Sequence, residues 1–207
     1  METLLQVSRL IDAISRFFGK MTMWLVLAAT VISAANAVAR KAFNIGSNAY
    51  LEIQWYLFAA VFLLGAAWTF LQNAHVRIDV LAVRLSTRTR MYIDIVGIVV
   101  FLLPLCWFMI QFAWPVLKGA YLSGETSSNA GGLIRWPVYA LVPLGFGLLG
   151  LQAISELIKR FAHLQGKVPN PLLAGVSEDP EPGLEAASQA QVEAAHPDGQ
   201  SEDGVRK

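Results

Sequence analysis

Charge is what this sequence has least of. Asp, Glu, Lys and Arg make up 15% of its 207 residues, and four stretches hold none of them and no histidine. These are Met21–Ala39, Ile53–Ala74, Ile95–Leu117 and Trp136–Ser155, of 19, 22, 23 and 20 residues. A soluble domain needs more charged surface than that, usually about a quarter of its residues. At about 1.5 Å rise per residue, each stretch can cross a hydrocarbon core of roughly 30 Å as a helix. Cysteine is nearly absent too: Cys106 stands alone, which excludes an internal disulfide relay. His75, His163 and His196 have neither haem-ligand nor metal-ligand spacing, and there is no glycine-rich phosphate loop or nucleophile motif. No cofactor and no nucleic-acid partner is expected. A charge at the bilayer centre costs about 2.5–3.5 kcal/mol on insertion scales and is kept for transport or proton relay. Spans without one make this chain, on its own, a poor anion binder or ion coupler.

What is present fits an all-α integral membrane protein. It has four transmembrane helices at about 21–39, 53–74, 92–117 and 136–158, an N-terminal amphipathic interfacial helix over 1–20 and a disordered tail over 168–207. The tail has no aromatic residue, five of the nine prolines, and eight acidic residues against Arg206 and Lys207. Such a segment cannot bury enough apolar surface to offset its ordering entropy. Residues 1–167 carry 14 basic and 7 acidic side chains, so the overall charge of +1 conceals a basic membrane domain.

Basic residues set the orientation. Arg9, Arg16 and Lys20 precede the first span, Arg77, Arg84, Arg88 and Arg90 lie between the second and third, and Lys159, Arg160 and Lys167 follow the fourth. The other side has only Arg40, Lys41, Lys118 and Arg135, so the positive-inside rule puts both termini in the cytoplasm. The run "LVLAATVISAANA" also resembles a signal-peptide core with a small-residue cleavage site, but the charged arm before it and the three later spans favour an uncleaved start. Ala29, Ser33 and Ala37 offer a small-residue stripe where another helix can approach. In the arm, Leu4, Val7, Ile11, Ile14 and Phe18 share one helical face, with Glu2, Arg9, Asp12 and Arg16 elsewhere. The arm reads as a helix in the interface plane or as an extension of the first span, the two differing in the angle at Gly19. Pro143 with Gly145, Gly147 and Gly150 predicts a bent, closely packed last span, with Gly147 as a point of tight approach.

Five residues near span ends are candidate partner or lipid contacts. Glu52 and Asp94 lie in or near the first turns of the second and third spans, where the helix dipole favours an acid. Dipole stabilisation alone accounts for both, and a partner contact is the alternative. In "NAHVRIDVL", an extended His75–Asp79 sends Val76 and Ile78 one way and His75, Arg77 and Asp79 the other, with Asp79 placed to cap a short helix. The plainer reading is an interfacial loop whose arginines meet lipid phosphates. Ser86 and Thr87 then open the third helix.

"HVRIDVL" shortly after a span containing "GAAW", an acid near the start of that span, and a last span "WPVYALVPLGFGLLGLQ" together resemble the small membrane subunit of tripartite ATP-independent periplasmic (TRAP) transporters. The likeness covers approximately Met21–Phe161. It implies a large membrane subunit that carries the substrate and sodium sites and moves elevator-fashion, and a periplasmic solute-binding protein. The small subunit, on that resemblance, braces the large one and helps dock the receptor for uptake of an organic acid or similar solute, without being an enzyme. A stand-alone four-helix channel or carrier is the alternative, with Asn36, Gln54, Gln72, Asn73, Gln111 and Gln152 as its sparse polar path. A membrane redox enzyme would need haem or quinone ligands that the sequence does not offer.

Overall fold

The computed structural model describes residues 2–44, 47–73, 87–129 and 131–165. The chain divides into Met1–Pro171, which holds all of these, and Leu172–Lys207. His75, Arg77, Asp79 and the acidic tail lie outside the described residues.

Among the described residues, four helical runs are long and apolar enough to cross a membrane. The first, α1, is a single helix over Glu2–Phe43, with Glu2 in its first turn and Arg40 and Lys41 in its last, each placed to oppose the helix dipole. Ser47 caps α2, Asn48–Leu71, by accepting from the Ala49 N–H at 3.3 Å. The third run begins at Thr87 with α3, Thr87–Gly97, passes through a π-helical turn at Ile98–Leu102 and continues as α4, Leu103–Ser123. Pro104 accounts for that turn. It has no N–H to give the Val100 carbonyl and its ring crowds that oxygen, so the helix widens and the Leu103 N–H bonds to the Ile98 carbonyl instead. Gly124, at φ 62°, ends α4 in the left-handed conformation that L side chains resist. The last helix, α5, spans Trp136–Leu164 with Pro137 in its first turn.

α5 is the hub: α1, α2, α3 and α4 all pack on it, and α1 also packs on α2. Small side chains fill the contacts, among them Ala29, Ala60, Ala67, Ala120, Ala153 and Ala162, while Trp55, Phe62 and Phe112 point outward with 76%, 77% and 72% of their surface exposed. That inversion suits a bilayer, where helices gain from close van der Waals approach and not from hiding apolar surface.

The arm continues the first span without a break, so of its two readings the extension is the one adopted. Its faces also differ from the expected division. Ile11 is buried beside Ser8, Asp12 and Ser15, while Leu4, Val7 and Ile14 stay exposed, because the polar face is the one that meets α5. Gly19 is no hinge. It lies against the Trp68 ring, which a β-carbon would overlap. The small-residue stripe is also displaced, with Ala29 buried but Ser33 and Ala37 exposed. Each four-residue step turns about 40° past a full revolution, so the stripe winds off the contact face. The buried line instead repeats every seven residues: Ser8, Ser15, Thr22, Ala29, Asn36. In α5 the close approach belongs to Gly145, where a β-carbon would stand 2.7 Å from the Leu63 carbonyl oxygen, and Gly147 faces open space.

Candidate functional site

Two polar clasps, one at each end of the bundle, tie its helices together. The first joins α1, α3 and α5 near the chain's N-terminus. Asp12 Oδ1 accepts from Ser155 Oγ at 2.8 Å and from Gln152 Nε2 at 2.9 Å, and Oδ2 pairs with Lys159 Nζ at 3.1 Å. Ser155 has one proton, which serves Asp12, so Ser8 donates across the 2.7 Å contact between the two hydroxyls. Ser15 donates to Gln152 Oε1 at 2.7 Å, which fixes that amide's orientation.

One turn further along α5, Glu156 sits between both cations of its own helix. Its Oε1 contacts Lys159 Nζ and its Oε2 receives Arg160 Nη1 at 2.6 Å. Arg160 Nη2 reaches Asp94 on α3 at 3.2 Å. Glu156 and Arg160 are each 1% exposed. Burying charge is tolerable only with this degree of pairing, since breaking a buried pair typically costs about 3–5 kcal/mol. The planar guanidinium fork suits the position because it serves two carboxylates at once.

The second clasp closes the opposite end. Glu52 Oε1 accepts from Asn129 Nδ2 and Oε2 from the Leu133 N–H, both at 2.7 Å. The segment they hold is a short hairpin between α4 and α5. Thr126 bridges Ile134 in antiparallel fashion, Ser127 N bonds to Leu133 O at 2.9 Å and Arg135 N to Glu125 O at 3.0 Å. Tyr56 donates to the Ile134 carbonyl at 3.2 Å. The Tyr139 hydroxyl and the Glu125 carboxylate, 2.8 Å from Arg135 Nη1, hold that guanidinium above its ordinary value. A cavity of about 240 Å³ opens between hairpin and helices, lined by Trp55, Tyr56, Arg135 and Tyr139 among others.

Of the five residues singled out in the sequence, Glu52 and Asp94 therefore lie at opposite ends, each bonded within this chain. His75, Arg77 and Asp79 fall outside the described residues. The sequence reading missed Asp12, Gln152, Glu156, Lys159 and Arg160 as a group, using the two cations only as cytoplasmic-side charges that set the orientation. A signal was there: Gln152, Ser155, Glu156, Lys159 and Arg160 follow i, i+3, i+4, i+7, i+8, a polar helical face that begins in the last turn of an apolar span and runs past its end.

An apolar exterior, small residues between helices and polar clasps at the two ends define a multi-pass helical membrane protein. Among known families, residues 29–163 match the tripartite ATP-independent periplasmic transporters, DctQ component, and the chain belongs to that family. It is thus the small permease subunit of a TRAP transporter, a multi-pass inner-membrane protein of a transporter-component family and not of an enzyme family. Neither the comparison with curated proteins nor that with solved structures gave a match. The matched segment takes in the α5 and α3 members of the first clasp and leaves Ser8, Asp12 and Ser15 outside it.

Proposed function

We propose that this subunit braces a large membrane subunit that carries substrate and sodium, and helps a periplasmic solute-binding protein dock. Both termini and the first clasp lie on the cytoplasmic side, and the Glu52 hairpin faces the periplasm. The observation that carries this reading is the pairing of two closed polar clasps with an apolar exterior. Helices fixed to one another at both ends, with their outer faces left to lipid and partner, resist deformation when a neighbouring domain moves. Gln152, a polar residue that a channel would need for its path, is instead occupied by Asp12 and Ser15. The "HVRID" loop serves as a further anchor, with His75, Arg77 and Asp79 meeting headgroups or the large subunit.

Co-expression with a tagged large subunit tests the brace. Changing Asp12 to Ala and Arg160 to Met together should lower recovery of the small subunit with its partner, while a Phe161→Leu control recovers normally. Full recovery of the double variant would show that the clasp does not support assembly.

A further inference from the structure

Two polar atoms inside the membrane domain are left without partners among the described residues: Asn36 Oδ1 on α1 and Gln54 Nε2 on α2. Their residues are 6% and 8% exposed. One atom is an acceptor and the other a donor, so the two are complementary. Both are closed off by the chain's own atoms, which means that neither lipid nor a second subunit can reach them. A buried polar group in a bilayer is not left unpaired.

The helix register sets the two residues at a similar level along the α1–α2 contact. Gly19 lies on Trp68 and Gly65 on Thr22, so α1 and α2 run antiparallel in contact. Followed outward, that register sets Asn36 opposite Leu51, three residues from Gln54, an axial offset of about 4.5 Å. Asn36 also belongs to the seven-residue line in which Ser8 and Ser15 each make a hydrogen bond to another helix.

From this juxtaposition we infer that one buried water molecule is bound between α1 and α2, donating to Asn36 Oδ1 and accepting from Gln54 Nε2. One water is the smallest bridge between an acceptor and a donor so placed, and two polar partners are the fewest that retain one. It makes Asn36 and Gln54 one hydrogen-bonded unit and fixes the register of α1 on α2 at the end of the bundle away from the first clasp.

The test is a double-mutant cycle on the full chain, unfolded by SDS in mixed micelles, with Asn36→Leu, Gln54→Leu and the pair. Each single substitution strands the water and one polar group, while the double removes the whole unit. The loss in the double variant should fall short of the product of the single losses by about threefold or more, the scale of one interhelical polar contact. Should leucine at either position block insertion, alanine at both closes the same cycle. An experimentally determined structure at a resolution that shows waters gives the second readout: density within hydrogen-bonding distance of both atoms, gone in Gln54→Leu. Losses that simply multiply, or a direct amide-to-amide contact with no density between them, would overturn the inference.

Discussion

Arg160 on α5 holds Asp94 on α3 at 3.2 Å with one guanidinium nitrogen, and with the other it holds Glu156 at 2.6 Å. One side chain thereby joins the start of the third span to the end of the fourth. That span packs along α5, and its most apolar part is only 11% buried. Arg160 adds to this packing a charged tie at the span's first turns.

Replacing Arg160 by methionine should destabilise the folded subunit by about 3–5 kcal/mol, because Glu156 is left buried with one partner fewer. Arg160→Lys should lose less but not be neutral, since an ammonium cannot present the same fork to two carboxylates. Asp94→Asn should cost less than Glu156→Gln, the Asp94 side chain being 28% exposed against 2% for Glu156. SDS-unfolding midpoints of the four variants give the order, and a methionine variant as stable as the parent would show that the clasp does not hold the third span.

Gly145 and Gly147 separate packing from composition. Gly145→Ala should lower the thermal midpoint by several degrees, as its methyl would meet the Leu63 backbone, which cannot move aside cheaply. Gly147→Ala meets nothing within 4 Å and should leave the midpoint unchanged or raise it slightly, since alanine favours a helix over glycine by up to about 1 kcal/mol. Differential scanning fluorimetry on the two variants decides the matter, and the reverse order would mean that α5 is rotated from the orientation given above.

The spans were legible because a run of about twenty residues without a charge suits a bilayer and little else. The clasps were not. Asp12 and Lys159 are 147 positions apart, and a polar residue beside the bilayer looks the same in sequence whether it faces water or another helix. The arm's apolar residues drew attention to the wrong face for the same reason: in lipid, Leu4 and Val7 can point outward while Ser8 and Asp12 point in. Choosing Gly145 over Gly147 needs the register between α2 and α5, which no single-helix pattern contains. The seven-residue line from Ser8 to Asn36 was readable in principle, but small polar residues do not register on a scale built to detect apolar periodicity.

Glu52 should govern the order of the hairpin at the opposite end. Glu52→Ala releases both the Asn129 amide and the Leu133 N–H, so cleavage between Ser127 and Leu133 by a non-specific protease should speed up several-fold in detergent. Glu52→Gln keeps an acceptor for one of them and should fall between. Equal cleavage rates in all three proteins would show that the hairpin is held by its own ladder alone.

Orientation is open to labelling in intact cells. With Cys106 changed to Ala, single cysteines at Ser47 and Ser123 should react with a membrane-impermeant maleimide, and cysteines at Ser86 and Ser177 should react only after permeabilisation. External labelling at Ser86 would reverse the topology and place the first clasp in the periplasm.

The most direct measurement is uptake by the reconstituted three-component transporter, normalised to the amount of assembled complex, with the first clasp broken by Asp12→Ala and Arg160→Met. A bracing subunit predicts fewer assembled complexes, each with unchanged apparent affinity for substrate and for sodium. A shift of about tenfold in either affinity at normal assembly, equivalent to roughly 1.4 kcal/mol, would put this chain in the transport path and contradict a bracing role.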